Sequence, residues 1–430
     1  MASMRPNELT ALEALEQITA GTLTSESLVA ACLERIEERE ATIGAWEYLS
    51  RDQALAAARA IDRGTGDGLL RGIPIAVKDV FDTVDMPTGY GSPIYQGYRP
   101  AWDASCVAAS RTEGAIALGK TVSTEFAYFH PGKTANPHNP AHTPGGSSSG
   151  SAAAVADHMV PLGFGSQTVG STIRPASYCG IVGYKPSYGL LNQTGMRPLA
   201  STFDTVGLFA RDVADIAHFA SILARWPALR VESGSDTPPK LGLCRTHEWA
   251  AANEDTQTAL ETAEHLAADA GATIGEIDLP PLYAEVAEAQ GLIVDFETAG
   301  SAAFELAYHR DQLSEKFIER AEAGMAASYD DYNSALSVVK AAQNGLDATM
   351  DGVDVLLCPS APGEAPKGLD ATGDPVFNRL GTALRGPCLN IPGLHGRTGL
   401  PVGIQLIGRV GDDRKALAAG QWLQAILRQE

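Results

Sequence analysis

Positive charge is scarce in this sequence: lysine and arginine total 32 against 52 aspartates and glutamates, a formal net charge of −20. Nucleic acid and anionic membrane surfaces both need a basic footprint, so the balance argues against either partner. An anionic ligand would have to be held by local charge rather than by the global field. Paired cysteine is missing too. Cys32, Cys106, Cys179, Cys244, Cys358 and Cys388 lie far apart, with no C-x-x-C. That spacing suits neither a disulfide framework nor a zinc site, and it reads as reduced structural thiols. No apolar run reaches the ~18 residues of a membrane span. The opening "MASMRPNELTALEALEQ" lacks the continuous apolar core of a signal peptide. Together these absences read as a cytoplasmic protein. "HPGKTANPHNPAH" gathers His130, His138 and His142, but its prolines deny a regular helical face and no cysteine or paired acid accompanies them. They read as loop histidines, with no metal site implied.

What is present is ordinary globular material, 44% hydrophobic and 20% charged over 430 residues, enough to bury a core without staples. Residues 24–40 predict an amphipathic helix with Leu28, Val29, Cys32, Leu33 and Ile36 on one face. "GIPIAVKDVF" alternates strictly. Ile73, Ile75 and Val77 share one face of the predicted strand, and Pro74, Ala76 and Lys78 the other. From 105 to 210, glycine, serine and short apolar runs alternate as in α/β units with tight connections. Residues 254–270 predict a helix stopped at Gly271, and "ATIGEIDLPPL" a strand ending at a proline pair. Residues 285–350 turn helical and alanine-rich, while "DVLLCPSAP" and "LPVGIQLIG" return to buried-strand character. The expected organisation is one domain, 1–430. Within it lie an N-terminal helical region over 1–68, a core over 70–230, a helical segment over 285–350 packed over the pocket, and strands and a helix completing the core over 351–430.

The stretch from His142 to Gly180, "HTPGGSSSGSAAAVADHMVPLGFGSQTVGSTIRPASYCG", is rich in serine. One reading is purely structural: small residues let a helix approach a sheet closely. No Gly-Lys-Ser/Thr follows at the interval of a phosphate loop. A second reading takes Gly146-Ser147-Ser148-Ser149-Gly150 as a nucleophile elbow around Ser148. The elbow should follow a buried strand, yet "NPHNPAHTP" precedes it, and proline at that density forbids a central strand. None of the downstream histidines sits in a recognisable catalytic context; His395, after a Pro-Gly pair, reads as a surface loop residue.

A third reading uses the whole stretch together with the strand lysine. "GGSSSGSAAAVA", "GSQTVGSTIRPASYCGIVGYKPS" and "GIPIAVKDVFD" resemble the Gly/Ser loop, nucleophile segment and lysine strand of the amidase signature family of serine hydrolases. The interval from Ser147 to Ser171 is the family's own. "GKTVSTEFA" and "LNIPG…GLPVGIQLIG" add echoes over about residues 25–425. The resemblance implies an α/β amidase signature fold, a long mixed β-sheet covered by helices on both faces. It implies an amidohydrolase, free of cofactor, that works through an acyl-enzyme. Ser171 would be the nucleophile, Ser147 the bridging serine beside a cis peptide, and Lys78 the base. The backbone N–H groups of Thr168, Val169, Gly170 and Ser171 would form the oxyanion hole. A homodimer is what the family makes common. Lys78 has to be neutral to accept a proton. An unperturbed lysine titrates near ~10.4, so neutrality near pH 7–8 costs about 4 kcal/mol, which desolvation on a small apolar strand face can supply.

The chain departs from the commoner family pattern at several points. Val169 stands where a glycine is usual, Gln167 where an acid is usual, and Ser149 where the loop has a glycine. The arginine usually two residues after the nucleophile stands three after it, as Arg174 in Ser171-Thr172-Ile173-Arg174. This resembles the malonamidase-like branch, in which that arginine helps hold a substrate carboxylate. The resemblance then implies a small carboxylate-bearing amide as substrate. The alternative for Arg174 is a structural ion pair with a core acid. The alternative substrate class is larger neutral aryl amides, anilides or carbamates, with Phe126, Tyr128 and Phe129 lining the pocket or else forming core. A further alternative is the amidase-like subunit of a tRNA-dependent amidotransferase, which passes ammonia to a partner. Lys120 and Lys133 read as structural or surface residues.

Overall fold

The computed structural model describes residues 4–64, 68–231 and 237–428. The margins of the expected N-terminal and C-terminal regions, at 1–3, 65–67 and 429–430, lie outside the described residues. Three helices open the chain, α1 (Ala11–Ala20), α2 (Ser25–Ile43) and α3 (Arg51–Arg63), with strand β1 (Trp46–Leu49) before the third. The face expected for the helix near 24–40 is the buried face of α2, including Leu28, Val29, Cys32, Leu33 and Ile36. Thr24 starts that helix by accepting a hydrogen bond from the Ser27 N–H, and Gly44 ends it with φ +62°.

Next come β2 (Pro74–Lys78), α4 (Ser105–Thr112), β3 (Ile116–Thr121), α5 (Ser149–Ala156), β4 (Leu162–Gln167) and α6 (Ile173–Cys179). They are followed by β5 (Val182–Lys185), β6 (Thr205–Ala210) and α7 (Val213–Leu223). The second half adds β7 (Lys240–Leu243), α8 (Glu254–Asp269) and β8 (Thr273–Glu276). The helical stretch expected over 285–350 is α9 (Val286–Ser301), α10 (Ala303–Tyr308), α11 (Glu315–Ala326) and α12 (Tyr329–Thr349). Then follow β9 (Val355–Pro359), α13 (Arg379–Ala383), β10 (Cys388–His395), β11 (Pro401–Ile407) and α14 (Asp413–Leu427).

The eleven described strands form one sheet in the order β1-β3-β2-β4-β6-β5-β10-β11-β9-β7-β8. It is mixed: β2 runs parallel to β3 and β4, and β7 parallel to β8 and β9, while the other pairs are antiparallel. Helices cover both faces, as the alternation of side chains along single strands reveals. In β9, Val355 and Leu357 belong to the core shared with α2, α5, α7, α8 and α14. Leu356 and Cys358 belong to a second core, built with α9, α11, α12 and α13. The expected α/β architecture is therefore the observed one. Central strands are buried on both sides, so β2 reads Pro74–Lys78 without one exposed residue.

One local expectation fails. His395 is no loop residue; it is exposed at the end of β10, because the chain continues its pairing with β11 past Pro392-Gly393 to His395↔Pro401. All six cysteines are buried and unpaired. Among the described residues no helix is long and apolar enough to cross a membrane.

Helices α9 and α11 approach closely at Gly324, where a Cβ would collide with the Asp295 carbonyl group. Gly324→Ala should therefore push α11 off α9 and cost about 1–3 kcal/mol, as overpacking does. Urea or thermal unfolding checks this, and an unchanged midpoint would show that the two helices yield freely.

Candidate active site

The site is assembled where β2 ends beside β4. Lys78 is fully buried, and its Nζ lies 2.7 Å from Ser147 Oγ and 2.8 Å from Ser166 Oγ. Burial pushes the Lys78 amine well below the usual lysine range, and the nearby Asp204 carboxylate opposes that only in part. Asp204 is itself buried, so its carboxyl is pushed up from the ordinary value. It accepts from the Thr168 hydroxyl at 2.5 Å and from the N–H groups of Leu199 and Ala200 at 2.8 and 3.1 Å.

Ser147 follows a cis Gly146–Ser147 peptide and directly precedes the turn into α5. The alanines Ala152, Ala153 and Ala154 are wholly buried in the core. Gly145 is required by its backbone: its φ is +82°, and a Cβ there would meet Pro175 Cα at 2.7 Å.

Ser171 sits between β4 and α6, lining a narrow cleft of about 20 Å3 with Thr168, Val169, Gly170, Arg174, Tyr128, Phe129, Leu199 and Pro375. The structure thus brings together Ser171, the expected oxyanion residues and Arg174 in one cleft, with Ser147 and Lys78 buried below. Ser147 and Ser171 are not hydrogen-bonded to each other in this arrangement, so the expected relay has one open link. Gly170 has no room for a side chain. A Cβ there would collide with Asn378 Oδ1 and meet Pro375 Cβ at 2.9 Å, so the turn is pressed against the chain just before α13.

Gln167 shows why an amide can stand at its position. Its Oε1 accepts the N–H of Thr172 at 2.8 Å and of Ile173 at 3.0 Å, satisfying donors at the start of α6. Its Nε2 donates to Thr382 Oγ1 at 2.8 Å, which a carboxylate could not do.

Arg174 is buried, and one guanidinium nitrogen, Nη2, donates to the Gly146 carbonyl at 2.7 Å and to Thr372 Oγ1 at 3.0 Å. Nε and Nη1 are buried and find no hydrogen-bond partner among the described residues. Among the described residues no carboxylate lies within ion-pair distance of Arg174, so the core ion pair is not what this side chain makes. Burial pushes its pKa down to about 10, with Tyr178 and Asp374 opposing, and it is a cation at neutral pH. A separate open hollow of about 320 Å3 is edged by Phe129, Lys316, Glu319, Arg320, Thr372 and Arg379.

The aromatic trio divides between its two readings. Phe126 is core, packed edge-on against Phe317 at 5.3 Å; Tyr128 shares that core, edge-on to Phe317 at 6.0 Å, and also lines the cleft, as does Phe129. The Tyr128 hydroxyl donates to Asp295 at 2.5 Å. Lys120 is structural, paired with Asp79 at 3.1 Å and donating to the Phe81 carbonyl at 2.7 Å. Lys133 is exposed beside Glu47. His138 and His142 contact the backbone carbonyls of Cys179 and Ala365. No group of three His, Cys, Asp or Glu among the described residues is placed to hold a metal ion. Ser166, Asp204 and Thr372 were not singled out from sequence. Ser166 had a signal, since "GFGSQ" is the next strand of the same stretch; Asp204 and Thr372 had none.

A family model described as Amidase matches residues 27–417. The glutamyl-tRNA(Gln) amidotransferase A subunit of Rhodopirellula baltica is 31% identical, the match covering 96% of this chain and 95% of that protein. A crystal structure of an amidase superposes with a TM-score of 0.88 at 31% identity, covering 97% of this chain and 99% of that one. The native peptide amidase from Stenotrophomonas maltophilia superposes with a TM-score of 0.81 at 28% identity, covering 97% of each chain.

The buried amine carries a stability signature. Between the depressed folded pKa of Lys78 and the unfolded value near ~10.4, the unfolded chain holds a proton that the folded chain refuses, so stability rises with pH across that window. Lys78→Met should remove this contribution to the slope and unfold at higher urea than wild type at neutral pH. Urea titrations of both proteins from neutral to alkaline pH check it; identical slopes would mean that the amine is charged in the fold.

Proposed function

This chain belongs to the amidase family, hydrolases of carbon–nitrogen bonds other than peptide bonds, and on that premise we propose that its substrate is a small amide bearing a carboxylate. In this reading Ser171 attacks the amide carbonyl after its hydroxyl turns onto Ser147 Oγ. Its proton passes to Ser147 as the Ser147 proton passes to the neutral Lys78 amine. The oxyanion so formed is met by the N–H groups along Thr168–Ser171. Collapse expels the leaving amine, which takes the proton back from Lys78 through Ser147. Water then attacks the Ser171 ester by the same route, releasing the acid and restoring the serine.

The observation that carries the substrate class is Arg174, a buried guanidinium in the cleft lined by Ser171, with Nε and Nη1 unpartnered. Each is an unmet donor of a buried cation, and an unpaired buried charge is costly unless an anionic ligand meets it. This supports the malonamidase-like reading, with a monoamide of a short dicarboxylic acid as the simplest substrate. The six buried, unpaired cysteines fit a reducing compartment, in keeping with a cytoplasmic setting.

The test is release of ammonia or amine from paired amides, each neutral one matched by a carboxylate-bearing analogue, by wild type, Ser171→Ala and Arg174→Ala. Ser171→Ala should abolish turnover of both sets. Arg174→Ala should lose the acidic set selectively, by about 1.5–3 kcal/mol in transition-state binding. Preference for neutral aryl amides or carbamates, with Arg174→Ala treating both sets alike, would assign Arg174 a structural role and move the substrate to larger apolar molecules. Turnover only with a second subunit would replace this reading by that of an amidotransferase component.

A further inference from the structure

A peptide unit is planar and trans, so whatever holds its carbonyl also aims the N–H on its other side. Along the turn before Ser171, each carbonyl is held. The Thr168 carbonyl accepts from Gln290 Nε2 at 3.0 Å, and the Val169 carbonyl from Thr382 Oγ1 at 2.7 Å. The Gly170 carbonyl accepts from the Arg174 N–H at 3.0 Å. The N–H groups opposite these carbonyls belong to Val169, Gly170 and Ser171. Among the described residues no acceptor takes a hydrogen bond from any of the three. Two of the three ties come from far along the chain, from α9 and α13, and both side chains are buried.

Both ties have only one possible sense. Gln290 Oε1 accepts from Arg379 Nη1 at 3.0 Å, which turns its NH2 group to Thr168. Thr382 Oγ1 already accepts from Gln167 Nε2, so its single proton is committed to the Val169 carbonyl. We propose that Gln290 and Thr382 are positioning residues that aim the N–H groups of Val169 and Gly170 at the oxyanion. The inference rests on the reading of Ser171 as nucleophile and goes beyond it by naming what preorganises the donors. It also accounts for Val169 in a turn where the family usually has glycine: the Thr382 tie holds its peptide from outside.

The test needs no knowledge of the substrate. An aryl phosphonate places its P=O oxygen where the oxyanion forms as the serine oxygen bonds to phosphorus and the aryloxide departs. Its second-order inactivation rate is read for wild type, Gln290→Glu, Thr382→Val and Thr382→Ser, with the modified residue located by peptide mass. Gln290→Glu keeps an acceptor for Arg379 but loses the donor to Thr168. Thr382→Val keeps the shape and loses the hydroxyl. Both should slow inactivation by about 10- to 100-fold, less than the loss of an oxyanion donor itself. Thr382→Ser should stay within about threefold of wild type, and all variants should keep the wild-type pH profile because Lys78 and Ser147 are untouched. Wild-type rates in Gln290→Glu and Thr382→Val, with Ser171 labelled normally, would overturn this inference alone. A wild-type label on a residue other than Ser171 would overturn the nucleophile assignment and this inference with it.

Discussion

Everything at this site follows from holding one amine out of water. Lys78 ends a strand with neighbours on both sides and helices over both faces, so no solvent reaches Nζ, and among the described residues it hydrogen-bonds the hydroxyls of Ser147 and Ser166 alone. Hydroxyls can donate as well as accept, so they suit an amine that gains and loses a proton. A carboxylate in direct contact would fix the charge. The acid whose field reaches it, Asp204, is instead absorbed by Thr168 and two backbone N–H groups.

The same economy of charge appears at Arg174, with the opposite sign. Lys78 is buried and kept neutral, whereas Arg174 is buried and stays a cation, since even a pKa lowered to about 10 leaves it protonated at neutral pH. In a chain of net charge −20, this cation would provide the local attraction that the proposed acidic substrate needs. The carbonyl of Gly146 and the hydroxyl of Thr372 orient the guanidinium without neutralising it.

Much of this was legible in the sequence where the pattern is local. The alternation in "GIPIAVKDVF" placed Lys78 on a strand, the apolar spacing placed α2 and α8, and the resemblance of the Gly/Ser stretch to the amidase signature named Ser147 and Ser171 as candidates. What was not legible lies across the sheet. Asp204 and Thr372 reach the site only because β2, β6 and the chain before α13 converge, and no periodicity in one segment encodes a partner in another. Side-chain fate at cleft walls was equally hidden. Phe126 and Tyr128 are two residues apart and both pack edge-on against Phe317, yet only Tyr128 of the two also reaches the cleft wall. The reason for Gly170 was likewise out of reach, since the atoms that exclude a Cβ belong to Pro375 and Asn378.

The strand order has a consequence for how the enzyme comes into being. β2 pairs in parallel with β3 and β4, partners well separated from it in the chain, so the sheet around Lys78 rests on non-local pairings, which are slow to form. Lys78 loses its water only when those pairings close over it. A nascent or partly folded chain therefore carries a protonated lysine and unactivated serines, and chemical competence appears together with the finished sheet rather than before it.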